Sequence, residues 1–186
     1  MGEVRAFLAI DLKPELKGII SDVEAEFKEI DADIKYVNPK NLHLTLKFFG
    51  NITTEGIDLI ADKVEKVLKD FKPFTVEVEG CGAFPNKNRI KVIWIGTDDN
   101  PTLIKLHDAL DKEFNKIGFD LDRKFSSHLT IGRMKSAKNK DKIKAKINEM
   151  NEFSFDTIEV NEIVLKKSTL TPRGPIYEDL KVFKLC

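Results

Sequence analysis

The spacing of apolar residues changes several times along the chain, and each change marks an element. "VRAFLAIDL", residues 4–12, reads as a strand, which Pro14 ends by opening a helix with Leu16, Ile19, Ile20, Val23, Phe27 and Ile30 at helical spacing. "NPKN" signals a turn. After it, "NLHLTLKFFG" (41–50) alternates, with Leu42, Leu44, Leu46 and Phe48 on one face and His43, Thr45 and Lys47 on the other. A second helix carries Ile57, Ile60, Val64, Val67 and Phe71 on its apolar stripe. "FTVEVEGCGAF" and "RIKVIWIG" read as two strands joined by the turn "PNKN".

Asn100 and Pro101 provide a cap and a first turn for a third helix, with Leu103, Leu106, Leu110, Phe114 and Ile117 on its stripe and Gly118 as its stop. "HLTIGR" (128–133) is a strand with His128 and Thr130 on one face and Leu129 and Ile131 on the other. A short basic helix with Ile143, Ile147 and Met150 follows. Two strands, "TIEVNEIVLKKSTL" and "IYEDLKVFKL", joined through "TPRGP", finish the chain. Helices and strands interleave with hairpin-like joins, which predicts an α+β fold of two similar lobes, each a small antiparallel sheet backed by helices. No linker separates the lobes, so residues 1–186 are expected to form a single two-lobed domain.

An apolar content of 41% suits a packed core. Lys plus Arg is 31 and Asp plus Glu is 31, so whole-molecule attraction to nucleic acid is absent and any such binding must be local. Cys81 and Cys186 form neither a disulfide framework nor a metal-ligand spacing. "AFLAI" is shorter than the roughly 7–15 residues of a signal-peptide core, and no segment approaches the roughly 20 apolar residues of a membrane span. A soluble, cytoplasmic protein is expected.

The repeated His-x-Thr carries the chemistry. Imidazole titrates near pH 6.5, so one ring can accept a proton while another donates one. Two such rings converging on one centre suit general acid–base attack on a phosphodiester, one activating water and the other protonating the leaving oxygen. Each threonine lies roughly 6.7 Å along the same strand face, within reach of a phosphate oxygen. His107, beside the apolar stripe of the third helix and outside any such motif, is assigned to structure.

"RAFLAI", "NLHLTLKFFG", "FPN", "VIWIG", "HLTIGR" and "STLTPRGPIY" together resemble the 2′-5′ RNA ligase-like branch of the two-histidine phosphoesterases, the RNA 2′,3′-cyclic phosphodiesterases. The chain departs from that pattern at Ser127, where relatives often carry proline before the second histidine. The resemblance implies two lobes with the active cleft between them, His43 as proton donor, His128 as proton acceptor, and Thr45 and Thr130 as holders of the phosphate oxygens. It implies hydrolysis of a 2′,3′-cyclic phosphate to a 2′-phosphomonoester, without cofactor or metal, and a reverse reaction that makes a 2′-5′ linkage. The expected partners are nucleotides and RNA ends bearing the cyclic phosphate, tRNA halves among them, with no membrane and a monomeric state.

No carboxylate–histidine metal cluster is evident in the sequence. Lys47, on the face of His43 and Thr45, is expected to add positive charge near the phosphate. Arg5 and Phe7 share a face of the first strand and are candidates to line the cleft and stack a base. From Arg133 to Lys146 the chain has one arginine and six lysines against the single acid Asp141. That run is a candidate track for RNA backbone, the alternative being a solvated helix face.

Overall fold

The first three helices begin where the sequence places a start signal. Pro14 opens α1 (Pro14–Lys28). Thr53 Oγ1 accepts from Gly56 N at the head of α2 (Thr54–Leu68), and Asn100 Oδ1 accepts from Thr102 N and Leu103 N at the head of α3 (Pro101–Asn115). α4 (Lys140–Glu149) turns Ile143 and Ile147 into the core. The computed structural model to which these elements belong describes residues 2–186.

Nine strands complete it: β1 (Val4–Asp11), β2 (Ile34–Tyr36), β3 (His43–Ile52), β4 (Phe74–Asn86), β5 (Arg89–Thr97), β6 (His128–Met134), β7 (Ser154–Val160), β8 (Glu162–Thr171) and β9 (Gly174–Lys184). They form two antiparallel sheets, ordered β3-β1-β8-β9 and β2-β6-β5-β4-β7. The fold is α+β, with two antiparallel sheets and four helices, as the interleaved pattern predicts.

Two features escaped the sequence pattern. β2 is only three residues long, too short to establish a period. "TIEVNEIVLKKSTL" is two strands rather than one: β7 pairs with β4 in one sheet and β8 with β1 in the other, the break falling at Asn161. Buried positions step by two from Ile158 to Val160, then by three to Ile163. That change of parity accompanies the change of sheet.

A repeat underlies the order of elements. β1-α1-β3-α2 and β5-α3-β6-α4 each run strand, helix, His-x-Thr strand, helix, with β2 inserted in the first. The helices are exchanged between the sheets. α2 packs on β3 and β9, and α4 packs on β4. α1 reaches across to β7, where Lys13 meets Asp156 at 3.0 Å, and its Glu26 pairs with Lys146 of α4 at 2.5 Å. α3 returns to the first sheet, its Asp111 paired with Lys47 of β3. Each sheet is thus backed by one helix of its own repeat and one of the other, and nearly all the buried apolar side chains form one connected cluster spanning both.

Candidate active site

In the first sheet Asp11 stands opposite His43 and Ala9 opposite Thr45; in the second Gly96 stands opposite His128 and Trp94 opposite Thr130. Residues directly opposed in a ladder share a face. The alternate residues Leu44 and Leu129 are fully buried in the helix-backed core, so both His-x-Thr pairs project from the other side of their sheets. Val37 N, just past β2, donates to Ile131 O of β6 at 2.9 Å, and the same segment continues through the turn Pro39–Asn41 into β3. The two motif strands are joined through that short connection.

Both imidazoles are anchored in the same way. His43 Nδ1 lies 2.7 Å from Asn41 O, and His128 Nδ1 lies 2.6 Å from Ser126 O, in each case the carbonyl two residues upstream. A carbonyl only accepts, so Nδ1 carries the proton and donates it, which leaves Nε2 bare in the neutral ring. Burial lowers the pKa of both rings, partly offset by these backbone bonds; Lys166 lowers His43 further and Arg133 lowers His128 further. Each ring also has two aromatic neighbours. Phe7 and Tyr177 lie 4.8 and 5.3 Å from His43, while Phe84 and Trp94 lie 4.9 and 6.4 Å from His128, centroid to centroid.

Lys47 is not on the face of His43 and Thr45, and this corrects the expectation. The pairing of β1 with β3 slips twice, passing over Leu46 and Phe49, so Lys47 stands opposite Leu8 on the core side. A bulge inserts one residue and inverts the alternation beyond it. Lys47 is 6% exposed, and its ammonium contacts Asp111 Oδ1 at 2.5 Å, Asp120 O at 2.7 Å and Asp122 Oδ1 at 2.8 Å. An ammonium has three donors; all three are engaged, and none remains for a phosphate.

The same slip exchanges two phenylalanines. Phe48, expected inside, is 67% exposed, and Phe49 is buried against Phe114 and Phe119. Phe7 does share the face of His43, but at 2% exposure it packs on His43, Phe48 and Tyr177 and has no open face for a base. Arg5 is exposed on the same strand.

The basic run after β6 belongs mostly to the outer side of the second sheet. Lys138 pairs with Asp31, Lys144 bonds Asn88, and Lys146 pairs with Glu26 and Glu149. Ile143 and Ile147 hold α4 against the core, behind the sheet face opposite the one that carries His128. These lysines are engaged with acids and amides of their own neighbourhood, on the side of the sheet away from His128.

Several residues near the histidines had no role in the sequence pattern. Trp94, Phe84 and Tyr177 lie within "VIWIG", "FPN" and "STLTPRGPIY", segments that resemble the family without suggesting a contact. Arg133 ends "HLTIGR", and its positive charge acts on both His128 and Tyr177, adding to the lowering of His128 by burial and opposing the rise that burial imposes on Tyr177. Lys166 bridges Asp11 at 2.9 Å and Asp179 at 2.6 Å. It lines a cavity of about 370 Å³ together with His43, Asn41, Ile176 and Tyr177. A second cavity, of about 500 Å³, lies beyond His128 and is lined by Trp94, Gly96, Ser126 and Ser127. Trp94 Nε1 and Ser127 Oγ are buried there with no hydrogen-bond partner among the described residues.

His107, Asp111 and Asp122 each bring a ligand atom within 4.8 Å of the others. This carboxylate–histidine grouping was not evident in the sequence, because α3 and the following loop form it only on folding. Lys47 already stands against both carboxylates, so this grouping is an ion cluster with its own internal cation.

A duplicated α+β fold with a His-x-Thr strand in each sheet defines the class as the two-histidine phosphoesterase fold. A family model described as the 2′-5′ RNA ligase superfamily matches residues 13–168, and the chain belongs to that family. The RNA 2′,3′-cyclic phosphodiesterase of Methanothermobacter thermautotrophicus is 42% identical over 183 residues, covering 98% of this chain and 100% of that protein. The protein of that name from Methanocaldococcus jannaschii is 38% identical over 181 residues, covering 96% and 99%. Among solved structures, a Thermus thermophilus protein superimposes with a TM-score of 0.82 at 23% identity over 97% of each chain. Escherichia coli LigT complexed with 3′-AMP gives 0.76 at 26% identity over 98% of each.

Proposed function

We propose that this chain hydrolyses 2′,3′-cyclic phosphate ends of RNA to 2′-phosphomonoesters, using His43 and His128 as acid and base without a metal. The observation that carries this is the matched anchoring of the two rings, each bonded through Nδ1 to the carbonyl two residues upstream. Full-length relatives named RNA 2′,3′-cyclic phosphodiesterase support the substrate.

His128, neutral with a bare Nε2, takes a proton from water as the water oxygen bonds to phosphorus. The bond from phosphorus to the ribose 3′-oxygen breaks on the opposite side, and protonated His43 gives that oxygen its Nε2 proton. Thr45 and Thr130 hydroxyls donate to the two non-bridging oxygens, each bond to a charged acceptor being worth about 1.5–3 kcal/mol. The step leaves His43 neutral and His128 protonated, and exchange with solvent resets them. A 5′-hydroxyl in place of water follows the same axis and yields a 2′-5′ linkage, so hydrolysis and ligation share one regiochemistry. Cytoplasmic RNA ends such as tRNA halves are the proposed substrates, handled by a monomer.

The test is incubation of nucleoside and oligonucleotide 2′,3′-cyclic phosphates with the protein in EDTA, with phosphorus NMR of the products. A 2′-phosphate formed at an undiminished rate is expected. A 3′-phosphate would overturn the binding orientation, and activity lost in EDTA but restored by zinc or manganese would overturn the metal-free mechanism.

A further inference from the structure

The Lys47 ion cluster lies on the core side of β3, behind the face that carries Thr45, and two other segments hold it. Asp111 comes from α3, while the Asp120 carbonyl and Asp122 come from the loop that leads to β6. Asp122 is bound twice more, its N donating to Asp111 Oδ2 at 2.9 Å and its Oδ2 lying 3.0 Å from His107 Nε2. His107 stacks flat on Phe125, centroids 4.0 Å apart and planes 10° from parallel. Phe125 precedes Ser126, whose carbonyl takes the Nδ1 proton of His128. A continuous set of contacts thus runs from the strand of Thr45 to the bond that orients His128.

We propose that Lys47 is a positioning residue, tying the His43 strand to the segment that sets the orientation of His128. Buried ion clusters contribute little to stability beyond what apolar residues of the same volume would, and their best-attested use is to fix register. This one suits that use, with Lys47 and Asp111 buried and Asp122 exposed at its rim. A slip of the 120–127 loop along β3 would strip the buried Lys47 ammonium of two of its three acceptors, leaving only Asp111, and an under-satisfied buried ammonium is disfavoured. The bulge at Leu46 makes the arrangement possible, because regular alternation would have turned Lys47 to the opposite face.

The proposal rests on the role proposed for His128, and the test separates the two. K47M/D111L/D122N removes all three charges and keeps, at the exposed position 122, an amide oxygen that can still accept from the buried His107. Nitrogen-15 NMR of the histidines at about pH 8, where both motif rings are neutral, distinguishes Nδ1–H from Nε2–H. The expected result is that His128 shifts from the Nδ1–H tautomer to a mixture while His43 keeps its own. With it, kcat on a nucleoside 2′,3′-cyclic phosphate should fall about tenfold or more, on the scale of a misplaced catalytic group, with KM nearly unchanged.

A folded triple variant with wild-type kcat and tautomer overturns the proposal, and so does lost kcat with the His128 tautomer intact. If the triple variant fails to fold, Phe125→Leu decides. It leaves the ions in place and removes the stack that leads to Ser126, so it should act on His128 in the same direction. No change in its tautomer or kcat overturns the proposal equally. A wild-type protein inert towards cyclic phosphates would defeat the functional assignment instead, with the tautomer still reporting on the network.

Discussion

The indole of Trp94 occupies the space beside Gly82, and a single methyl group there tests whether that ring supports His128. A Cβ added to Gly82 would sit 2.3 Å from Cζ2, 2.4 Å from Cη2 and 2.8 Å from Cε2 of Trp94. Gly82 has no positive φ, so alanine is opposed by this collision and not by the backbone. Ordinary contact begins at 3.4 Å, so the ring must retreat by about 1 Å. Retreat is confined, because a Cβ at Gly96 would already stand 3.0 Å from Cζ3, and Phe84 lies 5.4 Å away. Overpacking of this kind costs about 1–3 kcal/mol, and at this chain length each kcal/mol lowers Tm by about 2–4 °C. Gly82→Ala should therefore melt about 2–12 °C lower. Its kcat on 2′,3′-cyclic AMP should fall between about tenfold and a hundredfold, the scale for a displacement of about 1 Å near a catalytic group. Trp94 is the single tryptophan, so its fluorescence reports the displacement directly. A shifted emission with wild-type kcat would refute the link from Trp94 to His128. Unshifted emission would refute the collision itself.

His43→Ala and His128→Ala should each lower kcat by about 10²–10⁴ while the protein stays folded by circular dichroism. Burial lowers both histidine pKa values, so the base is free of its proton, and the acid loses its own, at lower pH than an exposed ring. The bell of kcat/KM against pH should centre below 6.5, and that of kcat should lie higher, because bound phosphate favours the charged rings. Thr45→Val and Thr130→Val should each cost about 1.5–3 kcal/mol of transition-state binding, read as kcat/KM. Glu24 is buried, its Oε1 unpaired among the described residues, and burial raises its pKa from 4.5 to about 7. The folded state then binds that proton more tightly than the unfolded one, so stability falls as pH rises through this interval. Glu24→Gln should melt with the wild type near pH 4.5 and above it at pH 8.

The apolar stripes, the helix starts at Asn100 and Pro14 and the paired His-x-Thr motifs were legible because each depends on residues a few positions apart, where helix and strand periods act. The α+β class followed from the order of those elements. What depended on pairing was not legible. The face of Lys47 is decided by a slip against β1, and alternation within β3 carries no sign of it. That slip also separates Phe48 from Phe49 and buries Phe7, so the aromatic left open to solvent is not the one expected. Asn161 sends β7 and β8 to different sheets because each finds a different partner, β4 or β1, far away in the chain.

The site divides in the same way. Local sequence placed His43 and His128 on strands and gave each a threonine, and the carbonyls of Asn41 and Ser126 that hold Nδ1 are only two residues upstream. Bringing Trp94 and Phe84 to one ring and Tyr177 to the other required the sheets to form. Lys47 meets Asp111 and Asp122 across 64 and 75 residues. Burial of Lys47 and Asp111 is a property of the packed core, since only there does an unpaired charge become expensive enough to dictate where a strand and a helix must meet.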